Sequence, residues 1–191
     1  DSTGSGSWSN IICGIDWVDQ HASTISVANM SLGGSGADGG PCSSTSLHQA
    51  ICNSVAAGVT FVVAAGNSAA DASAYVPASY PEVITVGALT DFDGAPGGGT
   101  APNCSSGGVD DAFASYSNYG PDVTILAPGT CIYSTLRGGG YGWMTGTSMA
   151  TPHVTGAAAL YIAAHGRVGP AAIKSGLVGA SRGGEVSAVP V

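Results

Sequence analysis

The stretch VTFVVAA, residues 59–65, is almost continuously apolar and rich in β-branched side chains. Such a run is typical of a strand that is covered on both faces, as in a parallel sheet. TISVANMSL (24–32) has a second buried-strand pattern. Between the two runs, apolar residues recur every four positions and predict a helix over 44–57. Strand, helix and strand in this order predict a right-handed parallel crossover.

Patterns of the same two kinds extend along the rest of the chain. They predict helices at 8–20, 146–166 and 170–178, and strands at 83–89, 123–127 and 131–136. Residues 90–113, rich in Gly, Pro and Asp, have no periodicity and are interpreted as a surface loop. We therefore predict one α/β domain over residues 1–191, with a parallel sheet flanked by helices.

The charge distribution excludes several classes of partner. Only 8% of the residues are charged, the net charge is −8, and no Lys or Arg occurs before Arg137. Duplex binding depends on Lys and Arg that neutralise phosphates, so a nucleic-acid partner is not expected. The sequence has no uninterrupted apolar run of membrane-spanning length and does not open on a leader peptide, so we expect a soluble, processed chain without a membrane partner.

Five cysteines leave one without an obvious partner. Cys42 and Cys52 bracket a short loop and a helix start, and Cys104 and Cys131 bracket a Gly-rich segment. We interpret both pairs as local disulfides, which indicates an oxidising compartment and leaves Cys13 over. The alternative is five reduced thiols in a cytosolic protein. A zinc site is disfavoured because no CxxC or HxxxH spacing occurs.

Gly34, Gly36 and Gly39 form a GxGxxG pattern just after a predicted strand, as a dinucleotide site would. Such a site also needs an acidic residue about 20 positions further on. No Asp or Glu occurs between Asp38 and Asp71. The sequence around these glycines therefore does not support a dinucleotide-binding site.

The string GTSMATPH (146–153) is the stronger candidate for chemistry. Ser148 lies at the start of the longest predicted helix. Unpaired N–H groups and the positive end of the helix dipole would stabilise an oxygen that becomes negative there. The position alone also fits an ordinary serine N-cap.

Four ordered segments resemble the subtilisin-like serine proteases, most closely the proteinase K-like branch. GTSMATPHVTGAAAL resembles the nucleophile motif of that family. The other matching segments are MSLGG (30–34), VVAAGN (62–67), SNYGPDVTILAPG (117–129) and, at the substrate-pairing edge, GSG (4–6). The resemblance covers roughly residues 4–178 and implies a subtilisin-like fold whose N-terminal part is missing from this chain.

The resemblance implies a secreted serine endopeptidase that acts on proteins or peptides and needs no cofactor for its chemistry. Ser148 would be the acylated nucleophile, and Asn67 would donate its side-chain N–H to the oxyanion. The implied substrate-binding residues are Ser31, Leu32 and Gly33, Ala64, Ala65 and Gly66, and Gly4, Ser5 and Gly6. The small, uncharged pocket walls indicate an apolar or broadly tolerant specificity.

The chain departs from the family at the catalytic acid and base. It contains no HGT-like motif, and Asp1-Ser2-Thr3-Gly4 matches the substrate edge rather than the Asp motif. The four histidines, at positions 21, 48, 153 and 165, offer no substitute. We therefore expect this chain to be inactive alone and to receive its His and Asp from an absent N-terminal segment. The alternative is a non-catalytic peptide-binding or structural module on the same scaffold.

Structural calcium is common among subtilisin-like proteases, and acidic residues cluster in the predicted loop. Asp91, Asp93, Asp110 and Asp111 offer the hard oxygen ligands that Ca²⁺ prefers. Thr124 stands where relatives often have a ligand Asp, so one familiar site is not expected. Calcium at the loop remains an open expectation, and the sequence assigns no metal ligand.

Overall fold

The structure, a computed structural model, describes residues 5–42, 44–102, 104–105 and 107–181. Its helices are α1 (Trp8–Gln20), α2 (Ser46–Ala56), α3 (Thr147–His165) and α4 (Pro170–Ala180). The strands are β1 (Val27–Met30), β2 (Gly34–Ser35), β3 (Thr60–Ala64), β4 (Tyr75–Val76), β5 (Ile84–Thr90), β6 (Ala112–Phe113), β7 (Ile125–Pro128), β8 (Ile132–Thr135) and β9 (Tyr141–Met144). Every helix and every longer strand predicted from the patterns is found.

The central sheet is mostly parallel. Its strands β1, β3, β5 and β7 run parallel in that order, and the short β6 pairs antiparallel with β5. Met30 at the end of β1 is opposite Val63 in β3. The chain segments that follow these two strands therefore leave the sheet side by side. The prediction of an α/β parallel sheet is confirmed.

Two apolar cores cover the two faces of this sheet. All five residues of β3 are buried, and their side chains alternate between the cores. Phe61 and Val63 pack with Ile51 of α2, whereas Val62 packs with Val154 of α3. The continuous apolar run in β3 therefore follows from burial on both sides of the sheet.

The sequence patterns missed the short antiparallel pairs. Strand β2 pairs with β4, and β8 pairs with β9 in a hairpin, whereas the patterns predicted only β8. The predicted loop 90–113 also needs a correction at both ends, because Thr90 is the last residue of β5 and Ala112 and Phe113 form β6. Two-residue strands are too short for an alternating pattern and are held by distant partners.

The structure contains both disulfides that the sequence predicts, Cys42–Cys52 and Cys104–Cys131, with Cα separations of 5.9 and 5.6 Å. These distances lie in the usual range for a disulfide. Cys13 is exposed and has no disulfide partner within the described residues.

Across the described part of the chain, no helix combines the length and the apolar character that a membrane crossing requires.

Candidate active site

A cavity of about 360 Å³ lies where the chain leaves the carboxyl ends of β1 and β3. This edge of a parallel sheet is the usual place for ligands in open α/β folds. Its lining includes most of the pocket residues that the resemblance implied. They are Leu32, Gly33, Ala64, Ala65 and Gly66, together with Asn67 and Ser148.

The remaining implied residues lie elsewhere. Ser31 is absent from the cavity lining but hydrogen-bonds with Ser148. Ser5 and Gly6 are exposed, do not line the cavity and belong to no strand. Gly4 lies outside the described residues, as does the rest of the Asp1–Gly4 motif. Strand addition by this edge stays a prediction.

Ser148 occupies the second position of α3. The N-cap of this helix is Gly146, which offers no side-chain cap, so the interpretation of Ser148 as an ordinary N-cap is wrong. Within the described residues, the Ser148 N–H donates no backbone hydrogen bond outside regular secondary structure, and a second-position N–H has no acceptor inside its helix. It therefore remains available at the positive end of the α3 dipole.

The Ser148 side chain is only weakly engaged. Its Oγ lies 3.5 Å from the Ser31 carbonyl oxygen, at the limit of a hydrogen bond. The Ser31 hydroxyl in turn donates to the Ser148 carbonyl oxygen at 2.8 Å and ties the start of α3 to the end of β1. The backbone of Ser148 is therefore held in position while its hydroxyl stays half-buried and free to meet a base.

Asn67 is held by the residue that precedes Ser148. Its Oδ1 accepts hydrogen bonds from Thr147 N at 2.8 Å and from Thr147 Oγ1 at 3.0 Å. Because a backbone N–H can only donate, these contacts assign the amide orientation and leave Nδ2 as a donor without a partner among the described residues. A Cβ built on Gly146 would lie 3.4 Å from this Nδ2. The donor thus lies close to the start of α3.

The sequence analysis missed the residue that supports the Asn67 turn. Asn118 is fully buried, and its Nδ2 donates to the Ala65 carbonyl oxygen at 2.8 Å. Its Oδ1 accepts from Ser68 N at 2.9 Å and from Ala70 N at 3.3 Å. One side chain therefore bridges both flanks of Asn67. Asn118 lies in the segment 117–129 that resembles the family. This resemblance was the signal in the sequence that could have identified Asn118.

No histidine and no carboxylate lines this cavity among the residues that the structure describes. His153 is exposed, and its Nδ1 is 2.9 Å from the Met149 carbonyl oxygen, one helical turn back. His48 is fully buried, and its Nε2 lies 2.9 Å from Glu82 Oε2. The arrangement places a serine hydroxyl and the Asn67 amide at one cavity, and the described lining of that cavity contains no side chain that could act as a base.

Three of the four acidic loop residues come together. Asp91, Asp93 and Asp110 offer oxygen atoms within 4.8 Å of one another. The Thr100 hydroxyl, and then the Ala95 N–H, lower the pKa of Asp93, which favours its charged form. Ionised carboxylates at this spacing fit a hard cation such as Ca²⁺. Asp111 is not in the group, since its Oδ2 accepts from the Gly97 and Gly98 N–H groups.

Comparison with known proteins agrees with this geometry. The peptidase S8 model, described as the subtilase family, matches residues 1–189. The chain belongs to the subtilase family. This subtilase chain is 42% identical over 185 residues to alkaline serine exoprotease A of Vibrio alginolyticus. It is also 42% identical over 180 residues to an extracellular serine proteinase of a Thermus species. The resemblance that the motifs indicated is confirmed.

The subtilase chain is shorter than its relatives. The two matches cover 97% and 93% of it, but only 30% and 38% of the relatives. A cold-adapted subtilisin-like serine proteinase of known structure aligns with a TM-score of 0.80 and 41% identity, over 96% of this chain and 58% of that chain. A protease of Pseudoalteromonas arctica aligns with a TM-score of 0.75 and 31% identity, over 95% of this chain and 55% of that chain.

Proposed function

We propose that this chain is the C-terminal part of the catalytic domain of a secreted serine endopeptidase. Ser148 attacks the scissile carbonyl carbon, and its hydroxyl proton passes to a histidine of an N-terminal segment that this chain lacks. The oxyanion that forms accepts hydrogen bonds from Asn67 Nδ2 and the Ser148 N–H. The leaving amine takes the proton from the histidine, and water then hydrolyses the acyl-enzyme.

The observation that supports this proposal is that Asn67 and Ser148 line the same cavity and that each keeps an N–H group without a hydrogen-bond partner among the described residues. The Asn67 Oδ1 contacts with Thr147 leave Nδ2 to donate close to the start of α3, and the Ser148 N–H has no helical acceptor. Preorganised donors of this kind stabilise charge that develops only in the transition state. Because they are held by backbone contacts, they need no rearrangement when the substrate binds.

We infer that the N-terminal segment covers the open side of this chain. Among the described strands, β1 has a neighbour on one side only. Helix α3 is rich in apolar residues, yet Leu160 in its C-terminal half is 73% exposed. An apolar helix beside an unpaired strand edge favours a further layer of chain. A segment bound there would pass close to Ser148, where the histidine is needed.

Residues 1–191 alone are expected to hydrolyse no peptide at a measurable rate, because Ser148 lacks a base. The complete protein is expected to turn over the same peptide. Hydrolysis of a peptide with a chromogenic leaving group measures both preparations, and circular dichroism controls for the fold of the shorter one. Turnover by a folded sample of residues 1–191 would contradict the proposed role of the absent segment.

A second candidate is a non-catalytic peptide-binding or structural module with the same scaffold. The absence of a base from the described lining of the cavity favours it. The two candidates differ in the complete protein, which would bind peptides without cleaving them if the second were right. Reaction with a serine-directed phosphonate separates them, because covalent labelling requires an activated hydroxyl.

We also propose that Asp91, Asp93 and Asp110 hold a structural calcium ion. At a free concentration of about 100 times its Kd, Ca²⁺ is expected to stabilise the complete protein by about 2.7 kcal/mol. For a protein larger than this chain, that corresponds to a rise in Tm of about 3–5 °C. Differential scanning calorimetry with Ca²⁺ and with a chelator measures the change.

The calcium prediction has a matched control within the same loop. Asp93→Asn is expected to remove most of the calcium-dependent rise in Tm. Asp111→Asn should retain it, because Asp111 binds the Gly97 and Gly98 N–H groups and lies outside the carboxylate group. An equal rise in both variants would contradict the assignment.

A further inference from the structure

One wall of the candidate substrate cavity is built from two very short strands. Gly34 and Ser35 of β2 pair antiparallel with Val76 and Tyr75 of β4, and all four residues line the cavity. Two residue pairs make a weak ladder by themselves. The position of this wall therefore depends on what holds the chain segments that leave β2 and β4.

Both segments meet at His48, a residue that the proposed chemistry does not use. His48 is fully buried near the start of α2, and its ring stacks on Tyr80 with centroids 3.9 Å apart and an interplanar angle of 4°. Its Nε2 lies 2.9 Å from Glu82 Oε2, and its Nδ1 lies 3.5 Å from Asp38 Oδ1. Tyr80 and Glu82 follow β4, whereas Asp38 follows β2.

Three further contacts reinforce this junction. The Cys42–Cys52 disulfide bonds the segment after β2 to α2, the helix that carries His48. The Lys174 ammonium of α4 donates to the Pro81 and Val83 carbonyl oxygens at 3.1 and 2.7 Å, on either side of Glu82. Because the two sulfurs are bonded to each other, these cysteines are structural links here and offer no thiolates to a metal.

We propose that His48 is a positioning residue that sets the β2–β4 wall of the substrate pocket and so determines how well a large side chain binds there. A carboxylate only accepts hydrogen bonds, so His48 Nε2 donates to Glu82. A buried ring that is stacked on Tyr80 and hydrogen-bonded to Glu82 favours one arrangement of the segments around it. The inference rests on the proposed function, because it assigns the neighbouring cavity to the substrate.

The test compares two peptides that differ only before the scissile bond, one with phenylalanine and one with alanine. His48→Phe keeps an aromatic ring against Tyr80 but removes both polar links. In this variant of the complete protein, the phenylalanine-to-alanine ratio of kcat/KM is expected to fall about tenfold, because a displaced wall loses contact with the larger side chain. The effect should lie in KM for the phenylalanine peptide, with kcat for the alanine peptide within about twofold.

Two further variants separate positioning from stability. His48→Gln can still donate to Glu82 and is expected to restore most of the ratio. Val55→Ala, on the same helix and packed on the same core, should lower Tm while leaving the ratio unchanged. If His48→Phe does not fold, Glu82→Gln replaces it, since Glu82 is partly exposed and its substitution weakens the same contact. An unchanged ratio in the folded variant would overturn the inference.

The inference and the proposed function can fail separately. In a Ser148→Ala background, the Kd values of the same two uncleaved peptides are measured by calorimetry. The phenylalanine-to-alanine ratio of these Kd values is expected to rise about tenfold when His48→Phe is added, because the phenylalanine peptide binds more weakly. If the unsubstituted complete protein hydrolyses neither peptide, the proposed function is overturned. If the Kd ratio is unchanged, the role of His48 is overturned.

Discussion

Replacement of Ser148 by alanine in the complete protein is expected to lower kcat by about 10⁶-fold, the magnitude found when the nucleophile of a subtilisin is removed. Among the residues that the structure describes, the one contact of this hydroxyl within hydrogen-bond range is at 3.5 Å to the Ser31 carbonyl oxygen, which is a weak hydrogen bond. Its removal should therefore leave Tm almost unchanged. Steady-state hydrolysis of a peptide measures kcat, and calorimetry measures Tm.

Ser46→Ala is the matched control for this substitution. Ser46 is an exposed serine at the first position of α2, so it shares the helix-start setting of Ser148 without lining its cavity. Its substitution should leave kcat and KM unchanged. Normal turnover in folded Ser148→Ala protein would contradict the assignment of the nucleophile.

Substitution of Asn67 by alanine is expected to lower kcat by about 10² to 10³ with little change in KM, because the lost hydrogen bond forms mainly in the transition state. Asn67 also has a structural task, since its Oδ1 accepts two hydrogen bonds from Thr147. Alanine removes the donor and the acceptor together. A fall in kcat alone would not separate these two roles.

Asn67→Asp separates them. The carboxylate keeps an acceptor for Thr147 but has no N–H to offer the oxyanion, and its negative charge opposes the charge that develops there. We expect this variant to lose at least as much kcat as Asn67→Ala while retaining a Tm closer to that of the unsubstituted protein. A kcat for Asn67→Asp near the unsubstituted value would show that the side-chain donor is not needed.

The sequence predicted the elements whose own residues carry a strong pattern. Strand β3 is buried on both faces, so its continuous apolar run was unambiguous. The pattern for β9 is much weaker, because YGWM holds a glycine and follows three more glycines in the turn. Strands β2 and β4 have two residues each and form only because distant segments bring them together. Such contacts leave no periodic signal in the sequence.

The site was predicted by resemblance rather than by residue pattern. From its position alone, Ser148 fitted an N-cap, and the structure gives that position to Gly146. The pairing of Asn67 with Thr147 and the support from Asn118 join residues 80 and about 50 positions apart. Patterns over neighbouring residues do not predict contacts between residues so far apart in the sequence. The sequence also could not predict the position of His48 at the junction of two pocket segments, because its partners lie on separate parts of the chain.

Mass spectrometry of the phosphonate adduct is the most direct test of the central claim, that Ser148 is an activated nucleophile. The complete protein, treated with a serine-directed phosphonate and digested, should carry one adduct on the peptide that contains Ser148, and residues 1–191 alone should carry none. An adduct on another serine, or complete inactivation with Ser148 unmodified, would contradict the account.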